Sequence, residues 1–210
     1  MSGLRILGRT SSINVRKVLW TAAELGLAFE HEPEWAGERS PRTPEFLALN
    51  PNGQVPVILD GDRVLWESNT ICRYLVGKAG RTDLLPSEPF ARAEVEMWMD
   101  WQASELNPAW GGAFLALVRK VPAAMADPAA IARSAEAWNQ RMLLLEDRLA
   151  RTGAYVAGEA FTLADIPLGL SLQRWLLTPI DRPPTPALAA WRARLQGRPA
   201  ARAAVDPTIP

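Results

Sequence analysis

Four small polar residues cluster just ahead of an apolar pattern with helical period. Thr10, Ser11, Ser12 and Asn14 are types that favour turns and helix N-caps. Val15, Val18, Leu19, Ala22, Ala23 and Leu25 follow at helical spacing, and Gly26 suits the C-cap. A helix starting there presents unpaired N–H groups and partial positive charge beside hydroxyls, which suits an anion. A capped helix with nothing bound is the simpler reading of this stretch by itself. Composition limits the other chemistries. His31 is the only histidine, so a His-rich zinc site is out, no metal is expected, and a Ser-His-Asp triad would have to use it. In FEHEPEW it reads as a solvated surface group. The one cysteine, Cys72, rules out an intramolecular disulfide and a CxxC motif, and it reads as a small core residue on a helix.

The 210 residues suit one large domain or two small ones. The 23 basic and 23 acidic side chains balance, so no excess of charge points to nucleic acid or an anionic membrane. The N-terminus lacks a signal-peptide pattern, and no apolar run approaches the roughly 20 residues that span a bilayer. A soluble cytoplasmic protein is expected.

The elements that position the polar cluster can be placed in order. Leu4, Ile6 and Leu7 form an apolar run ending at Gly8 that suits a strand buried on both faces. Leu27–Glu32 reads as a second strand, completing a right-handed βαβ unit. Thr43-Pro44 reads as the cap and first residue of a short helix ended by Asn50-Pro51-Asn52-Gly53. Asp60-Gly61-Asp62 between Val55–Leu59 and Arg63–Trp66 predicts an antiparallel hairpin. Pro56 must then sit at an edge, a strand start or a bend, and a cis bond is a candidate. A helix opens near Glu67-Ser68-Asn69 and carries Ile71, Cys72, Leu75 and Val76.

Gly77–Pro89 marks a boundary. The rest reads as helical: Phe90–Leu106, interrupted by Pro108, then Trp110–Arg119 and Ala129–Leu149. A helix runs from the Thr162–Asp165 capping box to about Leu177, with Phe161 as a staple onto Ile166. Another is capped by Thr185-Pro186, and Pro199–Val205 adds a final turn or two. The order βαβ, ββα, then helices predicts a four-stranded mixed sheet followed by a helical bundle.

Four segments in this order resemble the glutathione transferase family. SSINVRKVLW at Ser11–Trp20 is similar to the active-site turn and first helix of the serine-type enzymes. NPNGQVPVIL at Asn50–Leu59 resembles the segment around a buried cis-proline, WESNTICRYL at Trp66–Leu75 the Glu-Ser motif, and FTLADI at Phe161–Ile166 the helical domain's capping box. Among branches the chain looks most like the bacterial, theta-like, serine-type one.

The resemblance implies a thioredoxin-like glutathione-binding domain over residues 1–78, a linker over 79–89, and an all-helical domain over 90–210 that lines the electrophile pocket. It implies glutathione as co-substrate and a homodimer. Ser12 matches the catalytic serine and Asn14 a position that helps hold the thiol. Thr10 and Ser11 are near enough to substitute. Val55 matches the residue whose backbone pairs with the cysteinyl part of glutathione, with Pro56 the cis-proline. Glu67 and Ser68 match the pair on the γ-glutamyl group, and Gln54 a contact to the tripeptide. Arg39 lies in the loop where relatives place a basic residue near the glycyl carboxylate, although the local match is poor. Trp101, Trp110 and Phe114 are candidates to line an apolar electrophile pocket. Arg119 reads as a solvated helix-end charge or a partner for an acidic substrate. Asp100 reads as an intrahelical or surface pair, or as a group reaching a neighbouring subunit's ligand.

The residue types suit that chemistry. A thiol of pKa about 8.5 is only a few per cent ionised at pH 7. A charge-assisted hydrogen bond from a hydroxyl favours the thiolate by roughly 1.5–3 kcal/mol, and a helix N-terminus adds roughly 0.3–1 kcal/mol. At about 1.36 kcal/mol per unit, these lower the thiol pKa by roughly 1–3 units. Two other functions stay open: a glutathione-dependent disulfide reductase or peroxidase, and a non-enzymatic binding module on the same fold. TSSIN carries no cysteine at the active turn, which argues against exchange through the protein's own thiol.

Overall fold

The computed structural model describes residues 3–204 and 207–210. Its first half is a four-stranded mixed sheet of order β2-β1-β3-β4: β1 Leu4–Leu7, β2 Phe29–Glu32, β3 Val57–Asp60 and β4 Arg63–Trp66. β1 is central, parallel to β2 and antiparallel to β3. Its alternation divides the core. Ile6 and its partner Ile58 face the main core, while Leu7 and its partner Val57 face a smaller cluster with Trp35 and Phe46. Helices α1 (Ile13–Glu24) and α3 (Ser68–Lys78) pack together on the first side, and α2 (Pro44–Leu49) supplies Phe46 on the second.

The local sequence explains these elements. The Gly26 N–H donates to Ala23 and the Leu27 N–H to Ala22, with Gly26 at φ +63, as a glycine C-terminal stop of α1 requires. β2 starts at Phe29, two residues later than expected, because that stop holds Leu27. The hairpin turns at Asp60-Gly61-Asp62 as predicted, but β3 begins at Val57, leaving Val55 and Pro56 ahead of it.

The second half is helical: α4 (Pro89–Trp101), a π-helical turn (Gln102–Leu106), α5 (Asn107–Leu117), α6 (Pro122–Met125), α7 (Pro128–Thr152), α8 (Asp165–Leu177), α9 (Pro186–Gln196) and α10 (Pro199–Ala204). Val205, expected to extend the last helix, lies outside the described residues. Proline is the first residue of α2, α4, α6, α7, α9 and α10, where its missing N–H costs nothing. Pro108 does not break the chain between α4 and α5 as its position suggested. The chain passes through the π turn instead, which accommodates the ring and the absent donor.

The Thr162 box forms around its carboxylate. Asp165 Oδ2 accepts from the Thr162 N–H at 2.8 Å and the Thr162 hydroxyl at 3.2 Å, while Oδ1 accepts from the Val156 N–H and Trp191 Nε1. Burial pushes this carboxyl up to about 6 despite those four donors. Phe161 is buried, edge-on to Tyr155 and tilted against Trp20 of α1, so the expected staple residue also ties the two halves together. The fold is therefore a thioredoxin-like sheet domain followed by an all-helical domain. Among the described residues no helix is long and apolar enough to cross a membrane.

Candidate functional site

A polar groove lies where three turns of the sheet domain meet. Asn14, Gln54, Val55 and Pro56 line it together with Glu67 and Ser68. Asn50 and Asn52 complete the wall. Six of the residues singled out from the sequence are thus brought together from segments far apart in the chain.

The turn between β1 and α1 sets one side. Ser12 is the N-cap of α1, with extended backbone (φ −86, ψ 122), and its hydroxyl makes no capping bond to the helix. The Oγ is therefore not committed to the helix it precedes. Gly8 makes the turn possible: at φ +139, a Cβ there would lie 2.5 Å from Val15 Cγ2 and 2.8 Å from Val55 Cβ. The turn is consequently pressed against the residue before the cis-proline. His31, expected to be solvated, is half-buried, and its Nε2 donates to the Gly8 carbonyl at 2.8 Å. It braces this turn from β2.

The Val55-Pro56 bond is cis. Asn50 supports this side of the groove. It is buried, its Nδ2 donates to the Gln54 carbonyl at 2.8 Å, and its Oδ1 accepts from the Asn52 N–H at 3.0 Å. The sequence showed this residue as part of a helix stop and as the first residue of the Asn50–Leu59 segment, without a role of its own. Burial of an amide that bonds two loop backbones is what gives it a role, and Asn-Pro-Asn-Gly alone carries no sign of burial.

Glu67 forms the third side. It is the N-cap of α3 at φ +71 and ψ 107, a conformation that L side chains rarely adopt. Such strain costs of order 1–3 kcal/mol and persists where the surroundings fix it. Ser68 is buried at the first turn, and its Oγ donates to Asn14 Oδ1 at 3.4 Å. The N-terminal ends of α1 and α3 therefore converge on one groove. Two sets of unpaired N–H groups with partial positive charge face it, with the exposed Glu67 carboxylate at its rim.

The remaining candidates lie elsewhere. Neither Ser12 nor Thr10 is among the residues that line the groove: Ser12 is half-buried at the cap of α1, and Thr10 is exposed in the turn. Ser11 presents its carbonyl to Arg119 Nη2 at 2.7 Å, so Arg119 is not the free helix-end charge it resembled. Arg39 stacks on Trp35 at 3.7 Å and pairs with Glu34 and Glu45, outside the groove wall. Asp100 pairs with Arg73. Trp101 packs edge-on to Trp98, and Trp110 packs edge-on to Phe114 in the helical half.

A buried cation lies behind the groove. Lys17 is fully buried on α1, donating to Gln102 Oε1 at 2.7 Å and Asn69 Oδ1 at 3.2 Å. Gln102, in the π turn, passes the network on to Asn107 and Ser171. Desolvation holds Lys17 down at about 8. Nearby Cys72 is buried, and burial pushes its thiol up to about 11. A thiol so placed is neither ionised near neutrality nor accessible to a disulfide partner.

Comparison with known proteins follows the same lines. Residues 2–77 match the family described as Glutathione S-transferase, N-terminal domain. The chain is 36% identical to glutathione S-transferase GstB of Escherichia coli K12, over 96% of this chain and 97% of that protein. It is 36% identical to glutathione S-transferase 3 of Zea mays, over 93% and 87%. The fold superimposes with a TM-score of 0.89 on the theta-class glutathione S-transferase of Xanthomonas axonopodis pv. citri, solved with glutathione bound. That protein is 40% identical, with 98% of each chain covered.

Proposed function

Because the chain belongs to the glutathione S-transferase family, we propose that it is a serine-type transferase that holds glutathione as its thiolate for attack on small electrophiles. The observation that carries this reading is the convergence of Asn14 from α1 with Glu67 and Ser68 at the start of α3 on the groove beside cis-Pro56, with Ser12, the cap of α1 two residues before Asn14, making no cap bond of its own. In it, Ser68 and the start of α3 take the ligand's α-carboxylate, and Glu67 takes its α-ammonium. Val55 pairs its backbone with the cysteinyl unit, as an extended peptide pairs with a free strand edge. Gln54 adds a contact along the tripeptide. Arg39 reaches the glycyl carboxylate only by exchanging Glu34 and Glu45 for it. In this reading residues 1–78 bind glutathione, 79–89 link, and 90–210 line the electrophile site.

Ser12 acts as a thiolate stabiliser. The thiol proton leaves to solvent, and the Ser12 hydroxyl donates to the sulfur, aided by the first turn of α1 and by Asn14. Sulfur then attacks carbon, and either a halide departs with the bonding electrons or an activated alkene is saturated and protonated. Trp101, Trp110 and Phe114 provide apolar walls. The burial of Cys72 counts against the reductase alternative through a protein thiol.

The reading includes a homodimer, favoured by exposed Trp66 and Val64 on the edge strand β4 and by exposed Phe90 and Met97 on α4. It also includes a cytoplasmic setting, where a free Cys72 stays reduced. Calorimetric titration with glutathione, followed by turnover of haloacids, haloaromatics, isothiocyanates and hydroperoxides, tests it. Binding with conjugation supports the transferase reading; no binding heat returns the chain to the binding-module alternative.

A further inference from the structure

The strained start of α3 is held by its neighbours. Glu67 stands at φ +71 and makes no side-chain cap bond, and Ser68 follows it as the first residue of α3. A backbone so placed persists where its surroundings over-determine it. The next side chain supplies such a restraint. Asn69 Nδ2 donates to the Met99 carbonyl of α4 at 2.8 Å, and Asn69 Oδ1 accepts from Lys17 Nζ of α1 at 3.2 Å. One amide thus pins the first turn of α3 to two other helices.

Lys17 is fixed in its turn. It is 1% exposed, and its shorter bond, to Gln102 Oε1 at 2.7 Å, reaches the π turn, where Gln102 donates to Asn107 and Ser171. Its bonds go to two amide oxygens, with no carboxylate in ion-pair contact among the described residues. An apolar side chain would fill this space without the cost of burying a charge. The cation is attracted by the Glu67 carboxylate at the groove and repelled by Arg73 and Arg174. It lies three residues after Asn14, on the same face of α1. Asn14 meets Ser68 and Lys17 meets Asn69, so α1 grips two successive residues of the first turn of α3.

We propose that Lys17, acting through Asn69, is a positioning residue that holds Glu67 in the conformation that meets the ligand's α-ammonium. The proposal rests on the transferase reading and deepens it. Selection for the free amine of the γ-glutamyl end depends on a buried cation that is not part of the groove wall.

Glutathione and glutarylcysteinylglycine, which is glutathione without its α-amino group, are the probes, and calorimetry gives the ratio of their Kd values. The wild-type protein is expected to bind glutathione about tenfold more tightly than the deamino analogue. Lys17→Met and Asn69→Ala are each expected to bring that ratio to about twofold, by weakening glutathione and sparing the analogue. A merely structural role would weaken both ligands alike and keep the ratio. Methionine removes a buried charge, and Asn69 is only half-buried, so two independent positions guard against a variant that fails to fold. A ratio that stays near tenfold in either folded variant would overturn the proposal and leave the transferase reading in place. So would equal binding of the two probes by the wild-type protein. Failure to bind glutathione itself would overturn the transferase reading and the proposal with it.

Discussion

Ser68 Oγ donates to Asn14 Oδ1 at 3.4 Å, joining the first turns of α3 and α1 at the floor of the groove. The bond aims the Ser68 hydroxyl and fixes the distance between the two helix starts. Asn14→Ala removes the acceptor and leaves both N-cap residues, Ser12 and Glu67, in place. The expected cost is about 1 kcal/mol, or roughly a fivefold rise in the Kd for glutathione by calorimetry. A Kd unchanged within twofold would show that the two helix starts bind independently.

Glu67 joins strain to proposed recognition in one residue. At φ +71 it is held where glycine is at ease and a side chain is not. Glu67→Gly and Glu67→Ala both delete the carboxylate, so both are expected to weaken glutathione binding equally. Only the glycine variant relieves the strain. Its denaturation midpoint is expected above that of the alanine variant by the equivalent of about 1 kcal/mol, after allowing for glycine's greater unfolded-state freedom. Equal midpoints would remove the strain from the account; unequal Kd values would remove the carboxylate.

Lys17 supplies a pH test. Its folded value of about 8 lies below the ordinary 10.5, so between these values the unfolded chain holds more protons at this site. Stability from this site therefore rises as pH increases from about 8 to 10.5, and the burial penalty applies in full below about 8. Relative to Lys17→Met, the wild-type protein is expected to gain up to about 3 kcal/mol of unfolding free energy across that window. Urea unfolding of both proteins at several pH values measures the difference. A difference that is flat with pH would mean that Lys17 remains an ordinary lysine in the fold.

Much of this architecture is written locally. Asp60-Gly61 specifies its hairpin, Thr43-Pro44 its helix start and Gly26 its helix stop, because each depends on a few neighbouring dihedral angles. The groove was legible through Asn14, Gln54, Val55, Pro56, Glu67 and Ser68 only because four segments kept a recognisable order. What was missed depends on who meets whom in space. Arg16 and Arg174 look like ordinary solvent-facing charges on amphipathic helices until α1 and α8 pack and bury both. His31 and Arg119 gain their roles from a single backbone carbonyl across a turn or a domain boundary, and buried Asn50 from the backbones of Asn52 and Gln54. The π turn before Pro108 lacks a periodic signal, since one extra residue per turn is absorbed without changing residue types.

The central claim is that the Ser12 hydroxyl holds the glutathione sulfur as a thiolate. Titration of the thiolate's ultraviolet absorbance in the bound complex, for the wild-type protein and for Ser12→Ala, tests it most directly. The account predicts a bound-thiol pKa about 1–2 units higher in the variant, with glutathione affinity within roughly threefold of the original. Superimposable titration curves would contradict it and assign the sulfur to another group in the turn.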